Sequence, residues 1–250
     1  MLRTIASLIA KNLFLWKIYY HLIWKPAIVI RQARKNFLYG EILKRLKTGD
    51  DTAVNAGPFQ GLHYAILESH CSTLLPKLLG TYEAELQSTI LSWKEQNFPI
   101  IVDIGCAEGY YAIGLALMFP NASVFAYDIS EKARNLTKSM AIKNLVSDRL
   151  TVRGACESQD LLAMDLSSGG LIFSDCEGYE LELFDRRVAE HLQNCHLVIE
   201  MHDRPHKNFF VRLKLEDIFS NTHNIKIINS IDDFQKIKTY HSPLVTNYDD

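Results

Sequence analysis

Residues Ile101 to Tyr111, IVDIGCAEGYY, place two carboxylates and two glycines in a spacing that could hold a ligand: Asp103, Gly105, Glu108 and Gly109. A dinucleotide fold wants G-x-G-x-x-G here, so that backbone N–H groups and a helix N-terminus can approach a pyrophosphate. This stretch reads D-x-G-x-x-x-G, with Cys106 and Ala107 after the first glycine and Glu108 as an anion that would repel a diphosphate at close range. Asp128, 25 positions after Asp103 and followed by Ile129, stands where an acidic residue grips a ribose diol. A nucleoside with positive charge and no phosphate suits these acids. S-adenosylmethionine has that description: a sulfonium, an ammonium and one carboxylate, the last able to use backbone N–H groups of the turn. Gly154, Ala155 and Cys156 would flank its adenine ring. The plainer alternative is that Asp103 and Asp128 cap helices in a ligand-free domain. A nicotinamide dinucleotide is disfavoured by Glu108.

Methyl transfer from a sulfonium is an in-line displacement, so the protein must align an acceptor oxygen and remove its proton. Asp175, in FSDCEGYE, is the expected catalytic group, with Glu200 and His202 beside it. Glu200 and His202 alternate with Met201 and would share one face of a strand. An ordinary histidine titrates near neutral pH, which makes His202 the expected general base; a purely structural histidine is the competing reading. Asp175 and Glu177, with His202, could instead gather a divalent cation such as magnesium, although no spacing demands one. Glu177 and Glu180 could equally set a turn and begin its helix.

Elements able to position these residues follow from the pattern. Runs rich in β-branched residues predict strands at Ile100–Ile104, Ser123–Tyr127, Leu150–Val152, Leu171–Ser174 and His196–Met201. Helices are predicted at Gly109–Phe119, Glu131–Leu145, Glu157–Leu166, Tyr179–Gln193 and Lys207–Phe219, with a strand at Asn224–Ile228 and an antiparallel last strand near Lys236–Tyr240. This alternation implies an α/β fold: a doubly wound, mostly parallel Rossmann-like sheet with helices on both faces, an N-terminal helical extension, and a ligand crevice at the carboxyl ends of the strands. The expected organisation is a leader over 1–49, a mixed connecting segment over 50–95 and the ligand-binding domain over 96–250.

VDIGCAEGYYAIGLA resembles the first motif of class I S-adenosylmethionine-dependent methyltransferases, and more narrowly the FkbM type. Phe173–Glu180 is similar to that family's I-D-x-E-G-x-E at the fourth strand, and Val198–His202 to its glutamate-containing fifth strand. Leu79-Gly80-Thr81-Tyr82-Glu83 resembles the segment that leads into the domain and brings Glu83 into the cofactor set. The resemblance covers roughly residues 78 to 230 and implies methyl transfer to a hydroxyl of a sugar, lipid-linked glycan or secondary metabolite. Ser174, and Cys106-Ala107-Glu108, depart from the family's usual residues and leave the acceptor open. A non-catalytic binding module on the same fold is the alternative, using the leader to dock a partner. The absence of an N/D-P-P-Y stretch and of Pro-Cys disfavours base methylation.

The chain of 250 residues has five widely spaced cysteines without a C-x-x-C pair, which fits a reducing cytoplasm better than a disulfide framework. Its net charge of −2 hides an asymmetry: residues 1–49 carry +9 and the remainder −11. Any anionic partner is thereby confined to the leader, and nucleic acid is not expected. Lys11, Lys17 and Lys25 interrupt the leader's apolar runs, which argues against a membrane span or a secretory signal. At about 100° per residue, Arg3, Lys11, Lys17, His21 and Lys25 fall within an arc of about 120° on a helix expected to end at Pro26. Such a stripe suits peripheral membrane contact through residues 1–30, packing on the chain's own domain, or a homo-oligomer contact.

Overall fold

The computed structural model describes residues 2–47, 52–203 and 210–231, so the strand expected at Lys236–Tyr240 lies outside the described residues. The chain divides into two compact units, residues 1–50 and 51–250. The stretch 52–95, expected as a connector, belongs to the second unit.

The first unit comprises α1 (Leu2–Lys11), α2 (Leu13–Tyr19), a π turn (Tyr20–Trp24) and α3 (Lys25–Lys47). Two expectations need correction. Asn12 is extended, and its side chain accepts the Phe14 and Leu15 N–H groups at 3.0 and 3.1 Å, so the helix breaks there and the single basic arc from Arg3 to Lys25 is lost. Pro26 does not end the helical run: it follows directly on the π turn, where the regular four-residue hydrogen-bond ladder is already interrupted and a missing N–H is accommodated. The π turn just before it is closed by Lys25 N–H on the Tyr20 carbonyl.

The second unit contains α4 (Leu74–Leu79), α5 (Ala84–Ser92), β1 (Ile100–Ile104), α6 (Tyr110–Met118), β2 (Ser123–Tyr127), α7 (Glu131–Lys143), β3 (Leu150–Arg153), α8 (Ser158–Leu162), β4 (Gly170–Ser174), α9 (Glu180–Leu183), α10 (Arg186–His191), β5 (Cys195–Ile199) and α11 (Val211–Phe219). The described strands form one parallel sheet in the order β3-β2-β1-β4-β5, the doubly wound α/β arrangement the sequence implied. Central β1 and β4 are buried nearly throughout, so they read as continuous apolar runs, whereas edge strand β3 alternates half-buried and exposed residues.

The predicted helix Tyr179–Gln193 is two short helices, because Phe184 is extended and the Asp185 side chain caps α10 by accepting Val188 N–H at 2.8 Å. The helix expected to reach Leu166 stops at Leu162 and β5 ends at Ile199 rather than Met201, while the start expected at Lys207 lies outside the described residues and that helix is seen over Val211–Phe219. Asn224–Ile228 is not a strand; its apolar alternation has no described neighbour with which to form a ladder.

Residues 52–95 brace the domain. The Phe59 ring lies 2.4 Å from where a Cβ on Gly114 would sit, so α6 can approach it only with glycine there. Asn144 and the His63 backbone exchange hydrogen bonds of 2.9 and 2.7 Å.

Candidate active site

The sheet order reverses between β1 and β4, and a groove of about 1590 Å³ runs along the carboxyl ends there. That is more than a drug-sized ligand occupies, leaving room for a cofactor and an acceptor together. Gly105, directly after β1, has φ +83°, and a Cβ on it would lie 1.8 Å from the Asp175 carbonyl oxygen. Only glycine lets the two strand ends meet so closely. Gly109 opens α6 with φ +96°, donating its N–H to the Cys106 carbonyl at 2.7 Å. Ala107 is held in the left-handed region at φ +48°, a strained state for a residue with a Cβ. Two groups pin it: Asp128 Oδ2 accepts its N–H at 2.9 Å, and its carbonyl accepts the Thr137 hydroxyl at 2.9 Å.

Asp128 also accepts Ser130 N–H through Oδ1 at 2.7 Å. Each of its oxygens keeps a further lone pair for a diol. Ile129 is 84% exposed at the rim, and Ala155 and Cys156 line the groove just past the end of β3. Asp103 is buried, and its Oδ2 has no hydrogen-bond partner. Burial pushes its carboxyl up to about 8 although the Ala112 backbone pulls the other way. A buried carboxyl with one oxygen left unpartnered in the groove wall is a ready acceptor for an ammonium group.

Glu108 sits elsewhere than the sequence suggested. It is 1% exposed, lies outside the groove lining and pairs with Lys77 Nζ at 2.6 Å. Tyr64 Oη, Ser69 Oγ and His70 N–H also donate to it, at 3.2, 3.1 and 3.0 Å. A carboxylate so fully engaged cannot repel a diphosphate across the groove, and burial keeps Asp103 protonated near neutral pH, so the electrostatic case against one rests on Asp128. No spacing in the turn announced this pairing; its partners lie 31 to 44 residues upstream.

The other bank of the groove gathers Asp175, Glu200 and His202, each offering a ligand-capable atom within 4.8 Å of the others. Strand alternation is not what assembles them, since β5 has already ended. The ladder continues irregularly instead: Asp175 N–H donates to Ile104 O and Glu200 N–H to Ser174 O, both at 2.8 Å. Burial lifts Asp175 to about 6, against the pull of His202, while burial and the Asp175 charge lift Glu200 to about 7 even though one side of Glu200 is open to the groove.

His202 is held differently. Its Nδ1 lies 2.6 Å from Oε1 of fully buried Glu180, and its Nε2 lies 3.5 Å from Glu177 and 3.7 Å from Asp175. The hydrogen bond to Glu180 raises it to about 9, so it is an imidazolium at neutral pH with no lone pair to accept a proton. His202 thus lacks the free lone pair that the expected general base needs, while Asp175 and Glu200 keep carboxylate oxygens beside it. Glu177 is not part of the cation-capable trio, where Glu200 stands in its place. Glu83 lines the same bank in a left-handed conformation, φ +42°, and accepts the Tyr111 hydroxyl; the Tyr111 ring stacks on Phe173 at 3.9 Å.

Two curated proteins share segments with this chain. A release factor glutamine methyltransferase of Flavobacterium psychrophilum is 41% identical over 61 residues, 24% of this chain and 21% of that protein. A protein named "Probable cobalt-precorrin-6B C(15)-methyltransferase (decarboxylating)", of Pyrobaculum calidifontis, is 31% identical over 122 residues, 48% of this chain and 61% of its own length. The parallel sheet in the order β3-β2-β1-β4-β5 is a Rossmann-like fold, and the two proteins that share segments with it are both named as methyltransferases. The chain spans about a fifth and about three-fifths of these two relatives. Among solved structures, the O-methyltransferase TomG of Streptomyces achromogenes, in complex with SAM, overlaps at TM-score 0.36 and 15% identity over 44% of this chain and 51% of its own. A precorrin-6y C5,15-methyltransferase of Geobacter metallireducens gives TM-score 0.40 and 14% identity over 55% and 70%. No protein-family model matches the chain.

Proposed function

We propose that this chain is an S-adenosylmethionine-dependent O-methyltransferase of the FkbM kind, acting on a hydroxyl of a glycan, lipid-linked or secondary-metabolite acceptor. One juxtaposition carries the reading: a buried acid with one unpartnered oxygen and a glycine turn on one bank of the groove, with two acids of raised pKa on the other. The cofactor, when bound, supplies a methyl group on a positively charged sulfur. Asp103 would take its ammonium, Asp128 its ribose diol, and Ile129 and Ala155 would cover its adenine. On the facing bank, Glu200, with Asp175, would accept the acceptor's hydroxyl proton as the C–O bond forms and the C–S bond breaks. The His202 imidazolium would hold that pair from behind. The trio of Asp175, Glu200 and His202 also has the ligand types for a divalent cation, but no step requires one.

Calorimetry with S-adenosylhomocysteine, followed by transfer of labelled methyl to a panel of hydroxyl, amine and thiol acceptors, tests the reading. Binding with label found on oxygen is expected. No binding, or label on nitrogen or carbon, would overturn it.

A further inference from the structure

We propose that the helical run from Leu13 to Arg31 lies flat on an anionic lipid bilayer and docks the chain there. Across α2, the π turn and the start of α3, only Leu15 and Tyr19 are half-buried; Phe14 and Leu22 are more than two-thirds exposed. A four-residue step on an α-helix overshoots a full turn by about 40°. The π turn, bonded five residues back, is wider and undershoots, so residues four apart stay in register through it. Lys17, His21 and Lys25 thus form one straight stripe, and Trp16, Tyr20 and Trp24 form a second beside it. The remaining circumference, through Phe14, Ile18, Leu22 and Ile23, is apolar.

Cations next to indole and phenol rings, backed by a wide aliphatic face, match the layering of a bilayer: headgroups, then the interfacial zone, then acyl chains. No described helix is long and apolar enough to cross a membrane, and Lys17, Lys25 and Arg31 keep this run at the surface. A second copy of the helix fits poorly, because residues 1–40 contain no Asp or Glu to answer the basic stripe. An acidic protein surface would answer the cations, yet it would leave Phe14, Leu22 and Ile23 without an apolar phase.

The full chain should co-sediment with phosphatidylcholine vesicles that contain phosphatidylglycerol and not with phosphatidylcholine alone, and added salt should weaken the binding. Tryptophan emission should shift to the blue on binding, and the shift should vanish in W16F/W24F, which leaves buried Trp93 in place. Lys17→Ala with Lys25→Ala should weaken vesicle affinity about thirtyfold without changing the melting temperature of the second unit. Equal binding to both vesicle types or to neither would overturn the proposal. So would self-association, in sedimentation velocity, that depends on residues 13–31 and persists with anionic vesicles present.

Discussion

The two banks of the groove face each other but are built differently. The turn after β1 is short-range architecture: Gly105, Ala107 and Gly109 lie within five residues, and Asp128 and Thr137 pin the backbone from the next βα unit. The facing bank is long-range, with Asp175, Glu180 and His202 drawn together from two strand ends and a helix start. A bank made from one turn can only hold, because its geometry is fixed by the backbone. A bank made of mutually perturbing acids and an imidazolium can exchange a proton. This division of labour is what a group-transfer site needs, and it can be tested one bank at a time.

The largest effect should come from the proton-exchanging bank. Glu200→Gln is expected to lower kcat for methyl transfer by about 10²–10⁴-fold while leaving S-adenosylhomocysteine affinity within about twofold. In the native chain, kcat/KM should rise as the acid pair ionises between about pH 6 and about 7 and fall near pH 9 as His202 loses its proton. A flat profile across that range, or a variant that binds the product poorly, would merge the two banks into one and break the comparison.

Next in size is the buried pair behind the turn. Lys77→Met leaves the Glu108 carboxylate buried at 1% exposure without its cation and should cost about 3–5 kcal/mol in urea unfolding. Adding Glu108→Gln removes the unpaired charge while keeping an acceptor for Tyr64, Ser69 and His70, and should recover most of that loss, with cofactor affinity restored. If the double variant stays folded but no longer binds S-adenosylhomocysteine, Glu108 belongs to the ligand after all.

Legibility in the sequence followed the same division. The strands of the sheet, the glycine turn and Asp128 were readable because each is local: a β-branched run, a spacing, an acid at a strand end. Glu108 was misread because its partners Tyr64, Ser69 and Lys77 lie in a stretch with little periodic pattern. His202 does lie near Asp175, but the contact that holds its ring was not legible, since Glu180 reads as an ordinary first-turn helix residue. Pro26 misled for a related reason: a missing N–H breaks a regular α-helix interior, but here it falls where a π turn has already interrupted the four-residue ladder.

Asp103 offers a sharper test, because on its bank stability and function should move in opposite directions. Its pKa of about 8 lies above the 3.8 of the unfolded chain, so between those values the unfolded state has released a proton that the folded state keeps. Stability must then fall as pH rises from about 4 to about 8, by at most about 1.4 kcal/mol per pH unit from this group. Asp103→Asn should flatten that slope and raise the melting temperature at pH 8, yet weaken S-adenosylhomocysteine binding at least tenfold. Binding to the native chain should release a proton near neutral pH, read as a dependence of the calorimetric heat on buffer ionisation enthalpy. A variant that loses stability at pH 8 would mean that the carboxyl is satisfied in the folded chain.

The smallest effect belongs to Ile129, and it separates ligand contact from folding most cleanly. At 84% exposure its side chain adds little to the core, so Ile129→Ser should change unfolding free energy by less than about 0.5 kcal/mol. If the adenine of the proposed cofactor covers it, the apolar area withdrawn from water is worth about 1 kcal/mol, and S-adenosylhomocysteine affinity should fall about fivefold. An apolar side chain left this open on a strand-end loop has no packing reason to be there, so unchanged affinity would move the adenine away from Ile129 and toward the β3 side, where Ala155 and Cys156 would then carry the contact alone.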